Sequence, residues 1–321
     1  LDLDDTLLGN SMDAFLPGYV QGLAARMAPY AEPEKMVKYL MAGTRQMTAN
    51  LQPELTLEQV FDSVFFPGLG LLRADVQPAI DAFYAQDFPD LRIHTQFRPQ
   101  AVTLVEGALA RGHTVAIATN PLFPRTAILQ RLSWAGFTLE QYPIALVPDF
   151  ESFHFSKPNP HFYAELLGRL GWPEEPVVMV GDDLENDILP ARRLGLPVFW
   201  VPNQPAAWNE PGEAPPQGGL EDILPWLDAT SPEQLMPDYT SLQAMPVILR
   251  TTPAVLRHFC LGKQPADLSV HPAAGEWSPG EVLCHLRDVE REVFLPRMQK
   301  VTQEDNPFLS GRDTDRWAEE R

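Results

Sequence analysis

Two carboxylates, Asp2 and Asp4, stand two residues apart in the apolar opening Leu1-Asp2-Leu3-Asp4-Asp5-Thr6-Leu7-Leu8. Alternation along a strand puts both on one face. Two acids on one face at a strand end repel each other unless a cation or a proton neutralises them. Oxygen donors crowded in this way suit a hard divalent cation, and a carboxylate held there suits covalent attack on an electrophile. Three later stretches carry matching chemistry. Thr119 ends an apolar run, Lys157 stands in Phe155-Ser156-Lys157-Pro158-Asn159-Pro160, and Gly181-Asp182-Asp183-Leu184-Glu185-Asn186-Asp187-Ile188 follows another apolar run. The chain has only five lysines, so one set just ahead of two prolines is a pointed source of fixed positive charge. Each residue also has a bland reading: a structural threonine, a surface lysine beside a turn, or Asp and Asn capping a helix. Their shared placement at strand ends favours the chemical one.

The elements that must position these groups are legible as periodicities. From Ser11 to about Leu91 the pattern is helical, with four apolar stripes. They are Phe15, Tyr19, Leu23 and Met27; Met36, Tyr39, Leu40, Met47 and Leu51; Val60, Phe61, Val64 and Phe65; and Ile80, Phe83 and Tyr84. Strands then alternate with helices. Strands are expected at 113–118, 144–147, 177–180 and 198–201, and helices at 100–111, 126–134, 160–170 and 190–194, with 220–227 packing back on the sheet. Such alternation predicts βαβ units and a parallel sheet whose ligands bind beyond the carboxyl ends of the strands. Gly112 reads as the glycine that ends the helix before it.

The pentapeptide Asp2-Leu3-Asp4-Asp5-Thr6 resembles the D-x-D-x-T signature of the haloacid dehalogenase (HAD) superfamily. Thr119-Asn120, Lys157-Pro158-Asn159-Pro160 and the Gly181–Asp187 stretch resemble its other three motifs, in order. The resemblance covers roughly Leu1 to Asp228. It implies a Rossmann-like three-layer core with a parallel sheet over 1–10 and 95–228, and a helical cap inserted at 11–94. It further implies Asp2 as nucleophile, forming an aspartyl-phosphate, and Asp4 as general acid and then base. Thr119 and Asn120 would bind the phosphoryl group, and Lys157 would neutralise it together with the aspartates. Asp2, the backbone carbonyl of Asp4, and Asp182 would hold Mg²⁺, with Asp187 as a further ligand or orienter and Asp183 as a rival for that second role. The loop Phe150-Glu151-Ser152-Phe153-His154-Phe155 departs from the family in its aromatic bulk. It is expected either to shape the pocket or to pack against the cap.

A linker is expected at 229–238, followed by a second, all-α domain at 239–321. Ser278-Pro279-Gly280-Glu281 is a capping box with proline at the first helical position. Val282, Leu286, Val289 and Val293 then form an apolar face edged by His285, Asp288 and Glu292. Trp277-Ser278 and His285-Leu286-x-Asp288-x-Glu290 resemble the DinB-like helical bundles, here as a partial four-helix bundle. In that family the helix histidine joins two later histidines around a second divalent metal. No H-x-x-x-H occurs here, so with His285 alone that site is incomplete.

Composition bounds the partners. A net charge of −19 argues against nucleic acid and anionic membranes. No apolar run is long enough to span a bilayer. Cys260 and Cys284 lack metal or disulfide spacing and fall in helical patterns, where buried thiols in a reducing compartment are expected. The chain opens inside a predicted strand without an initiator methionine and ends inside a predicted helix at 319–321. It is therefore expected to be a fragment, and an upstream targeting segment stays open. Together these features predict a cytoplasmic, Mg²⁺-dependent phosphatase acting on a small phosphorylated metabolite, with oligomeric state undetermined. A phosphomutase of the same fold shares every motif, and a non-catalytic metal-holding or regulatory module is the rival of another class. A dehalogenase is disfavoured because Asp4 has no job in it.

Overall fold

The computed structural model describes residues 1–10, 12–204, 207–311, 314 and 317. Ser11, at the start of the expected cap, and the expected helix at 319–321 lie outside them. The chain forms two compact units, Leu1–His258 and Phe259–Arg321.

In the first unit the chain leaves the core through β1 (Leu8–Gly9) and returns through β2 (Gln96–Phe97), paired antiparallel at the neck of the insertion. Between them lie α1 (Met12–Met27), α2 (Pro33–Thr48), α3 (Leu57–Leu69) and α4 (Arg73–Ala82), a wider π turn at Phe83–Asp87 and a 3₁₀ segment at Phe88–His94. The four apolar stripes fall on α1 to α4 and this turn. Phe15, Met27, Met36, Val76 and Phe83 are fully buried. Leu51 is an exception: it lies past the end of α2 and is exposed, so it belongs to no helical face. Thr56 and Gln59 cap α3 reciprocally, and Gly70 in the left-handed region ends it.

The core continues with α5 (Pro99–Ala110), α6 (Arg125–Trp134), α7 (Pro160–Arg169), β3 (Met179–Gly181), α8 (Leu189–Arg193), β4 (Val198–Trp200), α9 (Leu220–Ala229) and α10 (Ala244–Cys260). Among the described residues, only β3 and β4 form a parallel ladder. The expected strands at 113–118 and 144–147 are reduced to one parallel bridge, Val115 to Ile144, because few of their backbone groups face one another in register. Backbone hydrogen bonds nevertheless order five segments side by side. Ile117 donates to Leu146 O at 2.9 Å, Ala118 to Leu1 O at 2.7 Å, and Asp2 to Val180 O at 2.8 Å. Leu1–Leu3 therefore runs between 115–118 and 178–181. After Leu3 the chain turns instead of continuing as a strand. Asp5 takes a left-handed φ of 59°, and Leu8 donates to Leu3 O at 2.8 Å. Strand alternation thus does not set the relation of Asp2 to Asp4; the turn does.

The aromatic loop at 150–155 joins cap to core. Leu57 N donates to Phe153 O and Glu58 N to Phe150 O, both at 2.8 Å, which satisfies two free amides at the start of α3. Asn50 Nδ2 donates to His154 O at 2.8 Å. The buried carboxylate of Glu165, on α7, holds the loop from the other side. It accepts from His154 N, Phe155 N and Arg169 Nη2 and pairs with His154 Nδ1 at 2.7 Å. Burial would raise its pKa, but His154 and Arg169 outweigh that and hold it below the usual glutamate range.

Residues 239–258 pack on the first unit: Tyr239 stands edge-on to Trp172 at 5.1 Å, and Val247 and Ile248 join the same apolar cluster. The division between units therefore falls inside α10, later than the linker expected at 229–238. The second unit contains α11 (Pro265–Leu268), α12 (Pro279–Val289), a π turn at Glu290–Phe294 and α13 (Leu295–Gln303). Ser278 and Glu281 form the capping box. These helices bury few side chains, so Val282 and Leu286 on the expected apolar face stay exposed. Cys284 is likewise exposed and Cys260 half-buried, not buried as expected. Among the described residues no helix is long and apolar enough to cross a membrane.

Phe153 is fully buried against the Phe162 ring and the Arg169 guanidinium. Phe153→Ala is expected to cost about 3–5 kcal/mol of stability by urea denaturation. A loss below about 1 kcal/mol would mean that the loop does not clamp the fold.

Candidate functional site

Three segments bring four charged groups to one place. Asp2 lies between the two halves of the core, Lys157 precedes α7, and Asp182 and Asp187 follow β3. Lys157 Nζ donates to Asp2 Oδ1 at 2.7 Å and to Asp187 Oδ1 at 2.5 Å. All three side chains are buried. Carboxylate oxygens of Asp2, Asp182 and Asp187 lie within 4.8 Å of one another. Three carboxylates thus face one ammonium.

The electrostatics follow from that imbalance. Burial pushes Asp2 up to about 7; Lys157 opposes this, while Asp187 and Asp4 add to it. Burial pushes Asp182 up to about 8, with Asp2, Asp187 and Asp5 adding to it. Burial alone would lower Lys157, but Asp187 and Asp2 hold its ammonium well above the usual lysine range. A divalent cation fits this donor set: the ligands are hard oxygens, and the excess negative charge is of the right sign.

Asp4 faces a different set of partners. Asn10 Nδ2 donates to its Oδ1 at 2.7 Å, while Arg131 Nη1 and Thr119 Oγ1 donate to its Oδ2 at 2.6 and 3.3 Å. Thr119 is fully buried. Asn120 braces the lysine loop, accepting from Lys157 N at 3.2 Å. Asp183 is exposed at the start of the π turn, where its side chain accepts from Glu185 N and Asn186 N at 2.8 Å. Among the Asp and Asn residues of this stretch, the cap is therefore Asp183. It supports Asp187 through its backbone amide, 3.1 Å from Oδ2. Gly181 serves space, not turning: a Cβ there would stand 2.3 Å from Asp187 Oδ2. His285 belongs to the second unit, where its ring centre lies 4.8 Å from that of Trp277.

Several residues at the site were not singled out from sequence. Thr6 Oγ1 and Asn203 Nδ2 donate to Asp182 at 3.2 and 2.7 Å. Tyr163 Oη donates to Asn186 O at 2.8 Å and reaches Asp187 Oδ1 at 3.3 Å. Arg131 is buried on α6, with its guanidinium 4.7 Å from the centre of the Phe123 ring. Thr6 had a signal, its place in the opening pentapeptide. Arg131 had a weaker one: an arginine among the apolar positions of a short helix.

The family model for haloacid dehalogenase-like hydrolases matches residues 1–195, and that for the DinB superfamily matches residues 248–320. No curated protein matches the chain. Among solved structures, a 2-haloacid dehalogenase from Pseudomonas syringae pv. Tomato DC3000 is similar at 21% identity and a TM-score of 0.51, over 71% of this chain and 96% of that one. A HAD phosphatase from Thermococcus onnurineus is similar at 18% identity and a TM-score of 0.46, over 70% of this chain and 95% of that one.

Two outcomes are expected. Carboxyls raised to about 7 and 8 stabilise the folded protein fully below about pH 4, their unfolded range, and this is lost as pH rises through those values. A cation needs the ionised forms, so the rise in Tm on adding Mg²⁺ should be larger at pH 8.5 than at pH 5.5. An equal or smaller rise at the higher pH would count against the metal site. Lys157→Met leaves buried carboxylates without their ammonium and should cost about 3–5 kcal/mol at pH 8 without metal. The loss should shrink at pH 5.5, where the carboxyls can protonate; a pH-independent loss would point to packing instead.

Proposed function

The chain belongs to the haloacid dehalogenase-like hydrolases, and from that membership we propose that it hydrolyses a small phosphomonoester through an aspartyl-phosphate on Asp2. The observation that carries this reading is Asp4. Its carboxylate is held by Asn10, Thr119 and Arg131, close enough to Asp2 to raise its pKa. An ester has a leaving oxygen that needs a proton, whereas a departing halide needs none. A second acid at this position therefore favours phosphoryl transfer over dehalogenation.

In this mechanism an Asp2 oxygen attacks phosphorus, and the bond from phosphorus to the ester oxygen breaks. Asp4 gives a proton to that oxygen, and the alcohol leaves. Asp4 then takes a proton from water, whose oxygen attacks phosphorus. The bond to Asp2 breaks and phosphate leaves. Lys157 offsets the charge on the phosphoryl oxygens and on Asp2. Thr119 binds a phosphoryl oxygen. Asp2, Asp182 and the Asp4 carbonyl would hold Mg²⁺, with Asp187 fixing Lys157. The ion would supply charge neutralisation between carboxylates and phosphoryl group. The same reading makes the five hydrogen-bonded segments the parallel sheet of a three-layer core, and places the site beyond their carboxyl ends.

Phosphate release from a panel of phosphomonoesters, with and without Mg²⁺, tests the proposal. Asp2→Asn should abolish release, and Asp4→Asn should lower kcat by about 10²–10⁴-fold. Halide release from 2-haloacids, with Asp4→Asn as active as the parent protein, would replace the phosphatase reading with a dehalogenase.

A further inference from the structure

We propose that a cavity within the helical cap receives the leaving group of the substrate, and that the protein selects phosphomonoesters of apolar alkyl or aryl alcohols over esters bearing a second anion. This rests on the phosphatase reading above. The cavity has a volume of ≈ 500 Å³ and lies among α1 to α4 and the core segment at 122–124. Leu40, Phe61, Phe65, Phe66, Phe123 and Phe150 give it an apolar wall. A void of this size forfeits dispersion contacts that tighter packing would supply. Ligand pockets of about 300–1,000 Å³ have this character, apolar with few polar groups.

The cavity adjoins the reacting centre. Phe123 follows Thr119 by four residues. Its ring carries the Arg131 guanidinium at 4.7 Å, and Arg131 donates to Asp4 Oδ2 at 2.6 Å. A group filling the cavity would thus end about one side chain from the acid that protonates the leaving oxygen.

The polar groups along the cavity are spent on one another. The Tyr19 and Tyr84 hydroxyls bond each other at 2.9 Å, and Gln130 Nε2 donates to Tyr84 O at 2.8 Å. Glu58, Asp62, Asp81 and Glu151 line it against a single cation, Arg73. Arg73 is already bound to Glu58 and Asp62, at 2.6 and 2.5 Å. A leaving group with a carboxylate or second phosphate would meet this negative field, and a polyhydroxylated one would find few free partners.

The test is a series of n-alkyl phosphates from methyl to octyl, assayed with Mg²⁺. KM should fall about three- to fourfold per added methylene until the cavity is full. A terminal carboxylate on a chain of equal length should raise KM at least tenfold. Thr44→Trp, which puts an indole on the cavity wall, should flatten the dependence on length; should it not fold, the parent series decides alone. A KM independent of length, or lowered by the carboxylate, would overturn the proposal. Calorimetry with the free alcohols from 1-butanol to 1-octanol separates the two readings. Length-dependent alcohol binding by a protein that releases no phosphate removes the phosphatase and keeps the apolar site. Phosphate release with neither alcohol binding nor length dependence does the reverse.

Discussion

The buried pair of bonds from Lys157 Nζ to Asp2 and Asp187 is the constraint on which the rest of the structure depends. Three carboxylates cannot share a buried site as full anions without strong repulsion, and one ammonium only partly offsets them. The fold has to bring that ammonium from a stretch remote in sequence and keep it there. It does so with the loop before α7. Asn120 holds the Lys157 amide, and Glu165 holds the amides of His154 and Phe155 a few residues earlier. A buried glutamate with four donors is an expensive anchor unless every donor is in place, which here they are.

The same loop ties the core to the inserted helices. Its carbonyls at Phe150 and Phe153 receive the first amides of α3, while Phe153 and Phe155 are buried in the core. Movement of α3 relative to the core would therefore load the loop that carries Lys157. The aromatic bulk that departs from the family pattern has two uses. Phe153 and Phe155 seal the loop to the core, and Phe150 faces Phe61 of the cap and lines the cavity.

Asp4 and Asp2, two residues apart, are managed differently because the chain turns between them. Asp2 stays under the lysine and beside Asp182, where burial raises its pKa. Asp4 is turned toward Asn10, at the neck of the cap, and toward Arg131 on α6. Cap, core and acid thus meet at one carboxylate.

The sequence by itself determined the kinds and order of the groups: Asp2, Asp4, Thr119, Lys157, Asp182 and Asp187 were legible as strand-end chemistry. Each lies beside an apolar run whose periodicity survives without tertiary context. The four cap stripes and the capping box at Ser278 were legible for the same reason, since local packing and local hydrogen bonds fix them. Only the tertiary structure decided which carboxylate meets which donor. Arg131 lies 127 residues from Asp4, and Asn203 lies 21 residues from Asp182; no local pattern encodes such pairs. What matters at Gly181 is the carboxylate of Asp187 packed against its α-carbon. The central place of Leu1–Leu3 and the division inside α10 were likewise settled by contacts between distant segments. Hydrophobic periodicity reports that a face is buried, but not against what.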